Sequence, residues 1–192
     1  MDNKFNQQKY QIRKKVLSLA GATLQIFDAD GQEILFSKMK AFKLKEDIRL
    51  YSGEDMQDEY LTIHARSIID FSATYDVFDA KTSEKIGAFR KKGLKSVLKD
   101  EWMILDNNDF EIGLIKEDHL ALALLRRFLT NLVPQRYHVE LSGKSVGTFQ
   151  QNFNPFVVKL NLDFSMDNDH LLDRRLGIAA GILLCAIEGK QK

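Results

Sequence analysis

The sequence predicts an α+β, mainly β fold. Tandem hairpins form an antiparallel sheet, curved or closed into a barrel around a buried hydrophobic C-terminal helix, with one amphipathic helix on its surface. Three observations carry this expectation. Four stretches repeat a strand, polar turn, strand unit; several strands alternate apolar and polar residues; and the chain closes on a helix with no polar face.

The hairpin units are "LQIFDADGQEILFSKMKAF" at residues 24–42, "YDVFDAKTSEKIGAFRKK" at 75–92, "WMILDNNDFEIGLIK" at 102–116 and "YHVELSGKSVGTFQQNF" at 137–153. Their turns are built from Asp, Asn, Gly, Ser and Lys, residues that reach positive φ or hydrogen-bond their own backbone. Hairpins build antiparallel sheet, because parallel strands need a long crossover.

Period-two alternation marks strands with one covered face. In "LTIHARS", Leu61, Ile63 and Ala65 point one way, opposite Thr62, His64 and Arg66. In "VVKLNLDF", Val158, Leu160, Leu162 and Phe164 oppose Val157, Lys159, Asn161 and Asp163.

Two stretches break this rhythm. "EDHLALALLRRFLTNLVP" places Leu120, Leu124, Phe128 and Leu132 in one row beside Ala121, Leu125 and Leu129. His119, Arg126, Arg127 and Thr130 fall on the other side, as an amphipathic surface helix requires. Asp118 suits its N-cap and Pro134 ends it by about Val133.

The second stretch is "LLDRRLGIAAGILLCAIEGKQK", apolar or glycine at every position from Leu176 to Ile187, with Asp167 or Asp169 as the expected cap. Twelve residues span about 18 Å of helix, short of the ~30 Å of a bilayer core. Extending the run brings in Arg175, Arg174 and Asp173, each strongly unfavourable in lipid. No transmembrane segment is therefore expected. A helix apolar all round must be buried all round, and the strands are what can bury it. Gly177, Gly181 and Cys185 form a row of small side chains that lets strands approach.

Length fits one domain: a flexible tail over 1–9, a single domain over 10–188 and a short tail over 189–192. Twenty-eight Lys and Arg nearly cancel 27 Asp and Glu, so no global charge draws the chain to nucleic acid, although local patches remain possible. The single cysteine, Cys185, excludes an internal disulfide and a cysteine-rich zinc site. The polar N-terminal stretch lacks a signal-peptide core, and the expected location is cytoplasmic, peripheral to membrane if lipid is bound.

The order of "YQIRKK", "IFDADGQEILF", "YDVFDAKTSEKIGAFRKKGLKSVLKDEWMI", "YHVELSGKSVGTF" and "DRRLGIAAGILLCAI" resembles the tubby C-terminal-like superfamily. The resemblance covers roughly residues 10 to 188 and looks closest to the LURP-one-related branch, grouped with the phospholipid scramblases. It implies a β-barrel threaded by a hydrophobic C-terminal helix. It also implies a basic surface for phosphoinositide head groups in tubby-type members, and association with lipids and calcium in scramblase-like ones. No binding motif transfers residue by residue. The scramblases' palmitoylated cysteine cluster and Pro-rich N-terminal region are absent, which argues against a scramblase-like role.

Candidate sites are few. "DADGQE" places Asp28, Asp30 and Gly31 at EF-hand spacing but lacks the first acidic ligand and the closing Glu, and reads as a turn. "SMDNDH" before the last helix reads as capping. His64, His119, His138 and His170 share no metal-ligand spacing, no serine sits in a nucleophile elbow, and "SGKSVG" lacks the upstream glycine of a phosphate loop. No catalytic residue, cofactor or metal is expected. The basic run "RKKGLK" supplies the preferred ligand site, Arg90, Lys91, Lys92 and Lys95, able to meet phosphates; as a plain structural feature it is a solvated strand end. Arg126 and Arg127 are a lesser candidate. Three functions stay open: an anionic-ligand binding module, a protein-contact module using the amphipathic helix or a strand edge, and an enzyme with a pocket assembled from distant residues.

Overall fold

The structure is a computed structural model that describes residues 3–16, 21–39, 47–66, 73–92, 101–118, 135–152 and 157–187. The strands are β1 (Lys9–Val16), β2 (Ala22–Phe27), β3 (Glu33–Met39), β4 (Ile48–Tyr51), β5 (Glu59–Ala65), β6 (Thr74–Asp79), β7 (Lys85–Lys91), β8 (Glu101–Leu105), β9 (Glu111–Glu117), β10 (Arg136–Leu141), β11 (Lys144–Asn152) and β12 (Val157–Asp163). The single α-helix among the described residues, α1, spans Arg174–Ile187. Each strand pairs antiparallel with its sequence neighbours, and β1 pairs with β12 to close a twelve-strand barrel. The expected mainly β architecture with a C-terminal helix is present. The amphipathic surface helix, with Arg126 and Arg127, and the C-terminal tail lie outside the described residues.

Closure removes the free sheet edges, so the strand-edge route to a partner is not available in this barrel. Most inward positions are apolar, as at Tyr10, Ile12, Leu24, Ile26, Leu61, Ile63, Leu160 and Leu162. The intervening outward positions carry Gln11, Arg13, Gln25, Thr62, Lys159 and Asn161. This is the inverse of a lipid-embedded barrel, whose outer band is apolar.

The closing helix fills the centre. Ile178, Ala179 and Ile182 are fully buried, and Leu183 nearly so. The small-residue row works by proximity: a Cβ on Gly177 would lie 2.5 Å from the Phe164 ring, and one on Gly181 2.7 Å from Ile12 Cδ1. No helix among the described residues is long and apolar enough to cross a membrane.

One local expectation is corrected. The helix cap is Asp173, whose Oδ1 accepts the Arg175 N–H at 2.8 Å. Asp167 lies one turn earlier, accepting the N–H groups of Leu171 and Leu172 and pairing with buried Arg174 at 2.6 Å, while Asp169 pairs with exposed Lys144. Ahead of β1, Asn3–Phe5 form a 3-10 turn that buries Phe5 beside Tyr60.

Candidate functional site

The two ends of the barrel are chemically different, because one holds the hairpin turns. At that end, Asp28 Oδ1 accepts from Asp30 and Gln32, Asp79 Oδ1 from Lys81 and Thr82, and Asp106 Oδ1 from Asn108 and Phe110. In each turn one Asp accepts from N–H groups two to four residues further on and so substitutes for a backbone acceptor. In the two-residue β10–β11 turn, Ser142 and Gly143 both have positive φ, 49° and 78°, as a type I′ turn demands. "DADGQE" is thus the β2–β3 turn, with Asp28 committed to backbone. All five hairpins at this end also carry a register shift, which bends the strands toward closure.

Turn chemistry makes this end acidic. The five hairpin turns and the β12–α1 connection carry eleven Asp or Glu against one Lys. At the opposite end, the three described residues on each flank of the six connections carry eleven Lys or Arg against four Asp or Glu. α1 begins at the acidic end, where Arg175 meets Asp79 at 2.7 Å, and finishes at the basic one. There buried Lys14 donates to the Cys185 carbonyl at 2.7 Å. Acids near the helix N-terminus and a cation at its C-terminus complement the macrodipole, so part of the segregation is structural.

The described part of the predicted run, Arg90 to Lys92, lies at the basic end and alternates between the two faces of the strand. Arg90 and Lys92 fall on the outer face of β7 and its continuation. Arg90 Nε donates to Thr74 Oγ1 at 3.3 Å, and Lys92 pairs with Glu101 at 3.4 Å. Lys91 shares the inward face of Phe89, its ammonium 5.6 Å from the ring centre of buried Trp102. Lys95 lies outside the described residues. Arg90 and Lys92 thus face outward and Lys91 inward.

Other titratable groups are mostly paired internally. Arg66, Asp76, Lys85 and Asp109 form a closed network of two cations and two anions. Burial works to raise the Asp76 pKa, but hydrogen bonds from Arg66 and Lys85 outweigh it and hold the group below its usual value. Hydrogen bonds from Arg66 and then Lys85 bring Asp109 to about 2. His64 contacts Asp47, and His138 Nε2 lies 2.8 Å from Asp118. A groove of about 460 Å³ crosses β4–β6 past Arg49, Glu59, His64 and Phe78, with Arg49 paired to Glu59 at 3.0 Å. Among the described residues no three metal-ligating side chains converge. Burial pushes the Cys185 thiol up to about 12, so it stays protonated and unreactive.

Sequence reasoning passed over the cations of β1, β3 and β12. Arg13, Lys15 and Lys159 sit at alternating outward positions in "KYQIRKKV" and "VVKLNLD", a signal that becomes meaningful only when the pairing of these strands is known. Compared with protein-family models, curated proteins and solved structures, the chain matches none.

Proposed function

We propose that the chain is a non-enzymatic binding module of the tubby-like type, recognising an anionic ligand such as a phospholipid head group with the basic end of its barrel. The observation that carries this reading is charge segregation: near-zero net charge is resolved into an acidic turn end and a basic opposite end. Such a field orients an approaching anion and raises its encounter rate. Arg90 and Lys92 are the members of the predicted run that face outward there.

Vesicle co-sedimentation tests it, comparing neutral with anionic lipid and wild type with a variant in which Arg90, Lys91, Lys92 and Lys95 are Ala. Binding to anionic vesicles that weakens in the variant and with added salt is expected. Equal binding by both proteins removes this run from the site, and equal binding to neutral and anionic vesicles removes the anionic-ligand reading.

Phe110, 70% exposed at the β8–β9 turn, favours a protein contact at the acidic end. Phe110→Ala should leave vesicle binding unchanged and abolish capture of a protein partner by the wild-type chain.

A further inference from the structure

Barrel closure assembles cations that are far apart in sequence. Arg13 on β1 stands directly opposite Lys159 on β12. Lys15 on β1 pairs with Thr23 on β2, which pairs in turn with Lys38 on β3. All four point outward from neighbouring strands, at lateral steps of about 5 Å and axial steps of about 7 Å. Lys15 and Lys38 are exposed and Arg13 and Lys159 partly so.

Like charges directly opposite on a sheet are destabilising. Several cations elsewhere on the barrel are offset by acids, as Lys116 is by Glu140 and Arg49 by Glu59. Here, among the described residues, none of the four cations has a carboxylate partner. The neighbouring outward side chains include Gln11, Gln25, Asn161 and Thr23. Glu33, an acid further along this surface, accepts from Gln25 at 2.8 Å.

Arg13 is also held in position. Asn161 Oδ1 accepts from Gln11 Nε2 at 2.8 Å, and Gln11 Oε1 accepts from Arg13 Nε. The guanidinium lies 4.0 Å from the centre of the Phe27 ring. Its Nε is therefore occupied while its two terminal nitrogens have no acceptor among the described residues. A planar, oriented guanidinium with free terminal N–H groups matches two oxygens of one phosphate. Lysines at either side supply point charges for further phosphates.

We infer that this platform on β12–β1–β2–β3 is a binding site for a ligand bearing clustered phosphate groups, with Arg13 as the bidentate anchor and Lys159, Lys15 and Lys38 as flanking cations. The site deepens the anionic-ligand reading while resting on residues separate from the β7 run, and its phosphates can come from a lipid head group or from a free polyphosphate.

Titration calorimetry with inositol hexakisphosphate, alongside co-sedimentation with phosphatidylcholine vesicles with and without a phosphoinositide, tests it. Wild type should bind the soluble probe, and Arg13→Ala should weaken it at least about tenfold, the scale of a lost charge-assisted hydrogen bond. Arg13→Lys should be weakened too, since it retains charge without the fork. Lys159→Gln should lose affinity while melting no lower than wild type, because it removes a like-charge opposition; a merely structural role would lower its melting temperature. Loss of soluble-probe affinity without loss of vesicle binding supports the site and overturns the lipid reading. Retained affinity in Arg13→Ala and Lys159→Gln, with loss in Arg90→Ala/Lys92→Ala, overturns the platform and leaves the β7 reading standing. No binding of either probe by wild type overturns both.

Discussion

The two ends of this barrel do different work with the same strands. At the turn end, Asp side chains close the hairpins and register shifts curve the sheet. Asp167 there meets Arg174 in a buried pair, with the carboxylate fully covered and the guanidinium 5% exposed, and the guanidinium also lies 4.8 Å from the Phe164 ring centre. At the other end, Lys14 reaches the end of α1, and exposed cations on neighbouring strands stand without acids. One end spends its charged groups on internal structure, and the other presents them outward. Stability should therefore be concentrated at the turn end and ligand sensitivity at the basic end.

The reference for both is the helix that joins them. Ala180 is 3% exposed inside the barrel, and Ala180→Asp buries an unpaired charge at a cost of several kcal/mol. Against a total stability of about 5–15 kcal/mol, this should abolish cooperative folding by circular dichroism. A soluble, cooperatively melting variant would contradict the central placement of α1.

Next in size is the turn end. Asp167→Ala leaves Arg174 buried without its carboxylate and uncaps the Leu171 and Leu172 N–H groups, a loss of about 3–5 kcal/mol by urea denaturation. The matching change at the basic end, Lys14→Met, removes the charge-assisted hydrogen bond to the Cys185 carbonyl and should cost less, about 1.5–3 kcal/mol. Equal losses would break the contrast between the ends.

The Arg66–Asp76–Lys85–Asp109 network refines it through pH. Both Asp side chains have folded-state pKa values below their ordinary value of 3.8. Their stabilisation is full above that value and is lost as pH falls through the folded values, toward about 2 for Asp109. The urea midpoint of wild type should fall over that interval, and Asp76→Asn should be less stable near neutrality with a shallower acid decline. The smallest effect belongs to the outward cations: Lys159→Gln should change stability by no more than about 0.5 kcal/mol.

Local chemistry made much of this fold legible. Asp-rich turns marked the hairpins, period two assigned Ile63 and Leu162 to the interior, and an all-apolar run placed α1 inside. The cap was misplaced because "SMDNDHLLD" offers three acids within seven residues, Asp167, Asp169 and Asp173, and tertiary contacts choose among them. The cationic platform was hidden for a different reason. Lys159 joins Arg13 only when the last strand closes on the first, and long-range register is not written in either segment alone. The β7 run was conspicuous in one dimension, and alternation turns Lys91 toward Trp102 while Arg90 and Lys92 face outward.

The most direct test of functional polarity uses the inert, buried Cys185. An environment-sensitive thiol dye is attached in turn to Asn152→Cys, exposed at the end of β11, and to Phe110→Cys at the acidic turn end. On addition of phosphoinositide vesicles the Asn152→Cys label should shift to shorter wavelength, with the shift reversed by salt, while the Phe110→Cys label stays unchanged. A shift at Phe110→Cys with none at Asn152→Cys, or no shift at either, would contradict a basic end that binds and an acidic end that does not.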